Sequence, residues 1–222
     1  MAIRPVFTVG GPQPFVNTEE VEFRYFAGFA VSQAQKSIAS LHGAFLERHP
    51  ECGGRILEIS TKSDIALGRQ LSAFNLRYRL ETRDDYPVEN VFQAGKCFEN
   101  GSRYTDLLLA SSREAKRDPR LKNSGSIVAF RLGDQAFPII PKGLFYDWIY
   151  VNAVRQNEEL AEELLKYDAF TDIAFHPVRS LNCQARSAAL FVALSRNGLL
   201  PAALVNPDSF LKIVYSGFNE GN

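Results

Sequence analysis

The chain has 222 residues, enough for one domain or two small ones, with a core burying roughly 70 to 75% of the unfolded surface. Hydrophobic residues make up 45% and charged residues 23%, which argues against a disordered or fibrous chain. The 25 Lys and Arg cancel 25 Asp and Glu, so the net charge is zero and any contact with nucleic acid has to be local.

Residues 1–18 carry Pro5, Gly10, Gly11, Pro12 and Pro14 around short apolar stretches, which predicts an irregular arm or an edge strand laid on a body formed by residues 19–222. Val21, Phe23 and Tyr25 alternate as in a strand. Ile38, Leu41, Phe45 and Leu46 predict a helix over 32–47 with Ser32 as its N-cap. A short strand is expected over 55–60, a short helix from Ser63, and an alternating segment over 71–80. The turn Asp84, Asp85, Pro87 feeds a helix over 88–98 with Val88, Val91 and Phe92 inward, and another helix follows over 104–110. Residues 127–130 and 135–139 read as a hairpin about Gly133 and Asp134. The last third is more helical, with periodic stretches over 145–166 and 183–194. With no linker, repeat or low-complexity tract, the pattern predicts a single helix-dominated α+β domain.

No apolar run approaches the roughly 20 residues of a membrane helix, and Met1 is not followed by a basic stretch and an apolar segment, so a cytoplasmic location is expected. Cys52, Cys97 and Cys183 lack CxxC spacing, and His42, His49 and His176 are dispersed. Reduced structural thiols, no metal site and no cofactor are therefore expected.

Several polar groups stand out. Glu89, Gln93 and Lys96 are i, i+4 and i+7 of one predicted helix, on a single face that is either solvated or converges on a ligand. Phe92, Ala94, Cys97 and Phe98 flank them as on a helix bordering an apolar cleft, where partial desolvation would make a carboxylate a stronger base. Asp172 lies among apolar residues in FTDIAF, either as a turn or cap with Thr171 or as a second carboxylate for glycosidic-bond hydrolysis. Arg113, Lys116, Arg117, Arg120 and Lys122 outnumber Glu114 and Asp118, making a solvated cluster or a phosphate site, with Lys116 and Arg120 one helical turn apart. SLNCQARS opens a helix with Ser180 or Asn182 as cap, or seats an anion near Arg186. Trp148, in FYDWIY, is either core or a stacking surface, and Asn75 either a turn residue or a specificity amide.

These pieces in this order resemble the NADAR family, whose proteins act on N-glycosidic bonds of ADP-ribose-related or ribosylated pyrimidine and purine substrates. Phe74-Asn75, VENVFQAGKCF from Val88 to Phe98, Ala115-Lys116, Trp148 and the late Asp172 carry the likeness. The runs SQAQKSIASLH, LSAFNL, FYDWIY, YDAFTDIAF and NCQARSAAL are similar to the antitoxins found beside guanine-modifying DNA ADP-ribosyltransferase toxins, over roughly residues 5–212. In one place the chain departs from the family: general members follow the late Asp with Trp-Gly, whereas Ile173 and Ala174 stand here.

The resemblance implies a NADAR-type α+β fold and removal of ADP-ribose from guanine in DNA, with ADP-ribose as product and a cognate toxin as partner. It implies Glu89 as principal catalytic carboxylate, Asp172 as second carboxylate, and Lys96 as a group that binds pyrophosphate, protonates the leaving nitrogen or attacks an opened ribose. Gln93, Phe74, Asn75, Lys116, Arg120, Trp148 and Arg186 are the expected substrate contacts, and activity in the presence of a chelator is expected. Two other readings differ in substrate or class: an N-glycosidase for a small ribosylated pyrimidine phosphate, and a non-catalytic protein that binds ADP-ribose or the toxin.

Overall fold

The computed structural model describes residues 1–82, 84–175 and 182–216. In chain order the elements are β1 (Ala2–Val9), β2 (Val16–Phe23), α1 (Val31–Arg48), β3 (Ile56–Glu58), α2 (Ala66–Gln70), β4 (Arg77–Arg79) and β5 (Asp85–Pro87). There follow α3 (Val88–Ala94), β6 (Lys96–Phe98), α4 (Ser112–Arg117), α5 (Arg120–Asn123), β7 (Ile127–Leu132) and β8 (Gln135–Phe137). The chain continues through α6 (Leu144–Arg155), α7 (Glu158–Leu164), β9 (Ala169–Thr171), α8 (Gln184–Arg196), α9 (Leu200–Ala203) and α10 (Pro207–Val214). The class is α+β, and no helix among the described residues is long and apolar enough to cross a membrane.

The chain divides into two compact units, 1–72 with 158–200, and 73–157 with 201–222. The first is built on a four-stranded sheet of order β2-β1-β9-β3. β1 runs antiparallel to β2 and to β9, and β3 lies parallel to β9. β1 is thus an inner strand, where the sequence predicts an irregular arm or an edge. Its consecutive residues Val6 and Phe7 point to opposite faces and are both buried, so the strand is covered on both sides. Pro5 is tolerated because β1 meets β9 only through Phe7 and Thr8. β2 is one edge and β3 the other, and the buried Val21 and Phe23 of β2 flank an exposed Glu22. Val21, Phe23 and Val6 pack with Ile38, Leu41 and Phe45 of α1, the helical stripe read from sequence. Helix α1 begins one residue earlier than expected, and its N-cap is Ala30 rather than Ser32.

The second unit holds the two-stranded β4-β5 ladder and the antiparallel β6-β7-β8 sheet. Gly133 takes a left-handed φ of 56° in the β7-β8 turn, as the hairpin reading requires. Phe145 of α6 stacks on Phe130 at 4.8 Å and meets Phe137 edge-on at 5.0 Å, while Trp148 meets the Phe210 ring edge-on at 5.5 Å.

Besides β1, four predicted elements differ from those formed. The helix expected over 104–110 is only a 3-10 turn over Thr105–Leu108, where the carbonyls of Leu107 and Ala110 accept from the Asn90 side chain. The helix expected over 88–98 stops at Ala94, because Lys96–Phe98 turn out to pair with β7 and the Gly95 carbonyl accepts the Arg131 amide at 2.8 Å. The alternating 71–80 segment contributes only β4. The 145–166 helix breaks at Gln156 and Asn157, whose side-chain amides bond the backbone of Arg79 and Arg77 along β4. In each case a partner distant in sequence satisfies backbone groups that local periodicity assigns to one continuous element.

Candidate active site

The second unit concentrates the singled-out residues on four adjoining pieces: the 73–76 segment, α3, β6 and α4. Helix α3 starts directly after Pro87, and its first amides are taken by distant carbonyls. Val88 donates to Leu76 and Glu89 to Ala73, each at 2.9 Å. These bonds fix the Phe74-Asn75 turn against the start of α3, and the Ser112 hydroxyl adds a third tie to the Phe74 carbonyl at 3.2 Å.

Glu89 is 5% exposed and Gln93 6%. Being four apart on α3, they meet side by side, and the Gln93 amide Nε2 donates to Glu89 Oε1 at 2.7 Å. The other end of the same amide, Oε1, accepts from Lys96 Nζ at 2.6 Å. A single neutral side chain therefore bridges carboxylate and amine, and its orientation is dictated because the amine has only donors and the carboxylate only acceptors. Lys96 reaches this point from strand β6, not from a third helical turn. The convergence expected of Glu89, Gln93 and Lys96 survives although the helix does not. Lys96 Nζ also lies over the Phe92 ring at 5.0 Å. Burial lowers its pKa below the ordinary lysine value, opposed by the nearby Glu89 charge and assisted by that of Lys116.

Lys116 comes from α4, whose start is secured by a capping box: Ser111 Oγ accepts the Glu114 amide and the Glu114 carboxylate accepts the Ser111 amide. Its Nζ stands 3.4 Å from Glu89 Oε2 and 5.2 Å from the centre of the Phe74 ring. Asn90, fully buried beside Glu89, donates to the carbonyls of Leu107 at 2.8 Å and Ala110 at 2.7 Å, holding the chain that leads into α4. The arrangement offers a desolvated carboxylate, an amine with a weakened hold on its proton, and an exposed cation beside an aromatic face.

Arg120 is elsewhere. Helix α4 ends at Arg117 and Pro119 starts a new turn, so Lys116 and Arg120 are not neighbours on one helix. Arg120 pairs with Asp118 at 2.8 Å and Asp106 at 2.6 Å and lies over Tyr104. Trp148 is 8% exposed between Phe137 and Phe210, the core alternative of its sequence reading. Asn75 is exposed beside half-buried Phe74.

Asp172 and Arg186 belong to the first unit. Asp172 is 9% exposed, and its carboxylate accepts the Ala174 amide at 3.0 Å, as the turn reading expects, and the Gln184 side chain at 2.9 Å. Arg186 is half-buried in the first turn of α8. That helix is N-capped by Cys183 with no side-chain cap bond, so Asn182 does not cap it, and Ser180 lies outside the described residues, as does His176. Glu58, not singled out by the sequence reading, is 1% exposed. It accepts the Thr171 hydroxyl at 2.6 Å and the Ile173 amide at 2.9 Å, and His42 Nε2 lies 2.8 Å from the same hydroxyl. An acid inside the apolar run ILEIS is the same signal that drew attention to Asp172 in FTDIAF.

Among the described residues no group of His, Cys, Asp and Glu could hold a metal ion. No curated protein matches the sequence. A family model described as the DarT1-associated NADAR antitoxin matches residues 2–220, through both compact units. With nearly its whole length covered, and with the FN, VENVFQAGKCF and AK segments assembled around Glu89, the chain belongs to the NADAR family, among its DarT1-associated antitoxins.

Proposed function

We propose that the protein is a hydrolase that cleaves the N-glycosidic bond between ADP-ribose and guanine in DNA, restoring the base and releasing ADP-ribose, and so reverses the modification made by its toxin. The observation that carries this reading is the Glu89-Gln93-Lys96 bridge, a desolvated carboxylate linked through one amide to a half-buried amine. Departure of guanine leaves positive charge on the ribose C1 and ring oxygen. Glu89 stabilises that charge and aligns the water that adds to C1. Lys96, whose ammonium is made a stronger acid by burial, gives its proton to the departing nitrogen. The same burial raises the fraction of free amine, which favours a second route: the sugar ring opens to an imine between C1 and the guanine nitrogen, Lys96 adds to C1 and expels the guanine amine, and water hydrolyses the resulting lysine Schiff base to release ADP-ribose. Phe74 supplies a stacking face and Lys116 a phosphate contact.

The test uses an oligonucleotide carrying ADP-ribosyl guanine, incubated with the wild type or with Glu89→Gln, with free ADP-ribose followed by mass spectrometry. Release by the wild type and a loss of about 100-fold or more in the variant are expected. No release by folded wild-type protein refutes the proposal and leaves a small ribosylated substrate or neutralisation by binding. Borohydride trapping during turnover separates the two lysine roles: a covalent adduct requires nucleophilic attack, and none is formed by proton donation alone.

A further inference from the structure

The basic segment that follows the capping box holds more positive charge than its acids neutralise. Glu114 is committed to the Ser111 amide and hydroxyl at 3.0 and 2.7 Å. Asp118 and Asp106 are both taken by Arg120. Among the described residues this leaves Arg113, Arg117 and Lys122 exposed and without an acidic partner. Arg113 lies three residues before Lys116 and four before Arg117 on α4, so the three share one face, while Ala115 on the opposite side is fully buried. That face adjoins Glu89 through the Lys116 contact. Lys122 follows on α5, and in a chain of zero net charge such uncompensated cations, on the α4 face beside Glu89 and a few residues beyond it, suit an anionic partner longer than one nucleotide.

We infer that Arg113, Arg117 and Lys122 form a docking surface for the phosphodiester backbone of the DNA strand flanking the modified guanine. The inference rests on the proposed hydrolase reading and deepens it, assigning the substrate as a strand and not a free nucleoside. Contacts of this kind position the strand and carry no base specificity. They weaken with salt by counterion release, at about 0.7 in log-log slope per phosphate on a single strand.

The test compares wild type with the Arg113→Gln/Arg117→Gln/Lys122→Gln variant on two substrates, a single-stranded oligonucleotide with ADP-ribosyl guanine at its centre and ADP-ribosyl guanosine with no flanking phosphate. Three phosphate contacts predict that wild-type kcat/KM on the oligonucleotide falls roughly 20-fold between 50 and 200 mM salt beyond any fall on the nucleoside, and that the variant loses this extra fall. Nucleoside cleavage by the variant stays at the wild-type level. Equal losses on both substrates, or no loss on either, overturn the inference while leaving the hydrolase reading standing. If wild type cleaves neither substrate, the hydrolase reading fails, and anisotropy with an unmodified oligonucleotide still decides the surface. Salt-sensitive binding lost in the variant supports it, and binding that is absent or unchanged overturns it.

Discussion

Gly95 joins the two halves of the candidate active site, with Glu89 and Gln93 on the helix before it and Lys96 on the strand after it. Its φ of −74° is one any residue adopts, so its substitution tests space alone. A Cβ at this position would stand 2.6 and 2.7 Å from two atoms of the Phe145 ring and 3.0 Å from the Arg131 carbonyl. Phe145 cannot yield cheaply, being 2% exposed and packed against Phe92, Phe130 and Phe137. Overpacking of this kind costs about 1 to 3 kcal/mol, and at 2 to 4 °C per kcal/mol for a chain of this size Gly95→Ala should lower Tm by roughly 2 to 12 °C. Moving β6 away from α3 also lengthens the 2.6 Å Gln93-Lys96 bond, so ADP-ribose release should fall by more than the loss of folded protein explains. Gly43 provides the matched control. It is exposed inside α1, with nothing within 4 Å of its added Cβ, and there helix propensity predicts that Ala stabilises by about 0.5 to 1 kcal/mol. Calorimetry of the two variants with the oligonucleotide assay checks both signs. A Gly95→Ala protein with unchanged Tm and activity would refute the packing argument.

Other perturbations follow from the same geometry. Burial lowers the His42 pKa from 6.5 to about 4, against the raising influence of Asp64. The unfolded chain therefore takes up a proton in this window before the folded one does, and stability falls as pH drops from about 6.5 to about 4, by up to about 3 kcal/mol. Denaturant titrations across that range should show this slope reduced in His42→Gln, and identical slopes would sink the assignment. Lys96→Met removes both proposed lysine roles and should lower ADP-ribose release by at least about 100-fold, with binding of ADP-ribose measured by calorimetry largely kept. Asn206 caps α10 by accepting the Ser209 amide at 2.8 Å, so Asn206→Ala should cost about 1 kcal/mol in denaturant unfolding without altering release.

Where a residue's neighbours in sequence are also its neighbours in space, the fold was legible. The α1 stripe of Ile38, Leu41 and Phe45, the Gly133 hairpin and the apolar α8 all formed as their periodicities predict. The misreadings share one physical cause. Residues 96–98 look helical beside VENVFQA, yet they pair with β7, some thirty residues onward. Gln156 and Asn157 fit a helical period, yet their amides serve β4, about eighty residues back. β1 looks like an arm because of Pro5 and the Gly-Pro segment after it, and becomes an inner strand only once β9 arrives from the far end of the chain. Local pattern carries no information on such closures.

The candidate active site shows the same division in a sharper form. Glu89 and Gln93 lie four apart on a helix, so their contact could be read directly from spacing. Lys96 was placed on the right face by the wrong element: a third helical turn and the actual turn into β6 both return position 96 towards Gln93. The approach of Lys116 could not be read from spacing, since it depends on Asn90 holding the carbonyls of Leu107 and Ala110 and on the Ser111-Glu114 capping box starting α4 at the right angle. A basic residue among five basic residues has no local mark that separates it from the rest. What separates Lys116 is a buried asparagine on the same helix as the carboxylate it meets, and that pairing connects the two ends of a long loop. Asn90 is thus the residue whose loss should mimic the loss of Lys116: Asn90→Leu should weaken substrate binding as Lys116→Ala does, and the double variant should be no worse than either single one. Additive losses in that cycle would mean that α4 reaches Glu89 without the Asn90 tie.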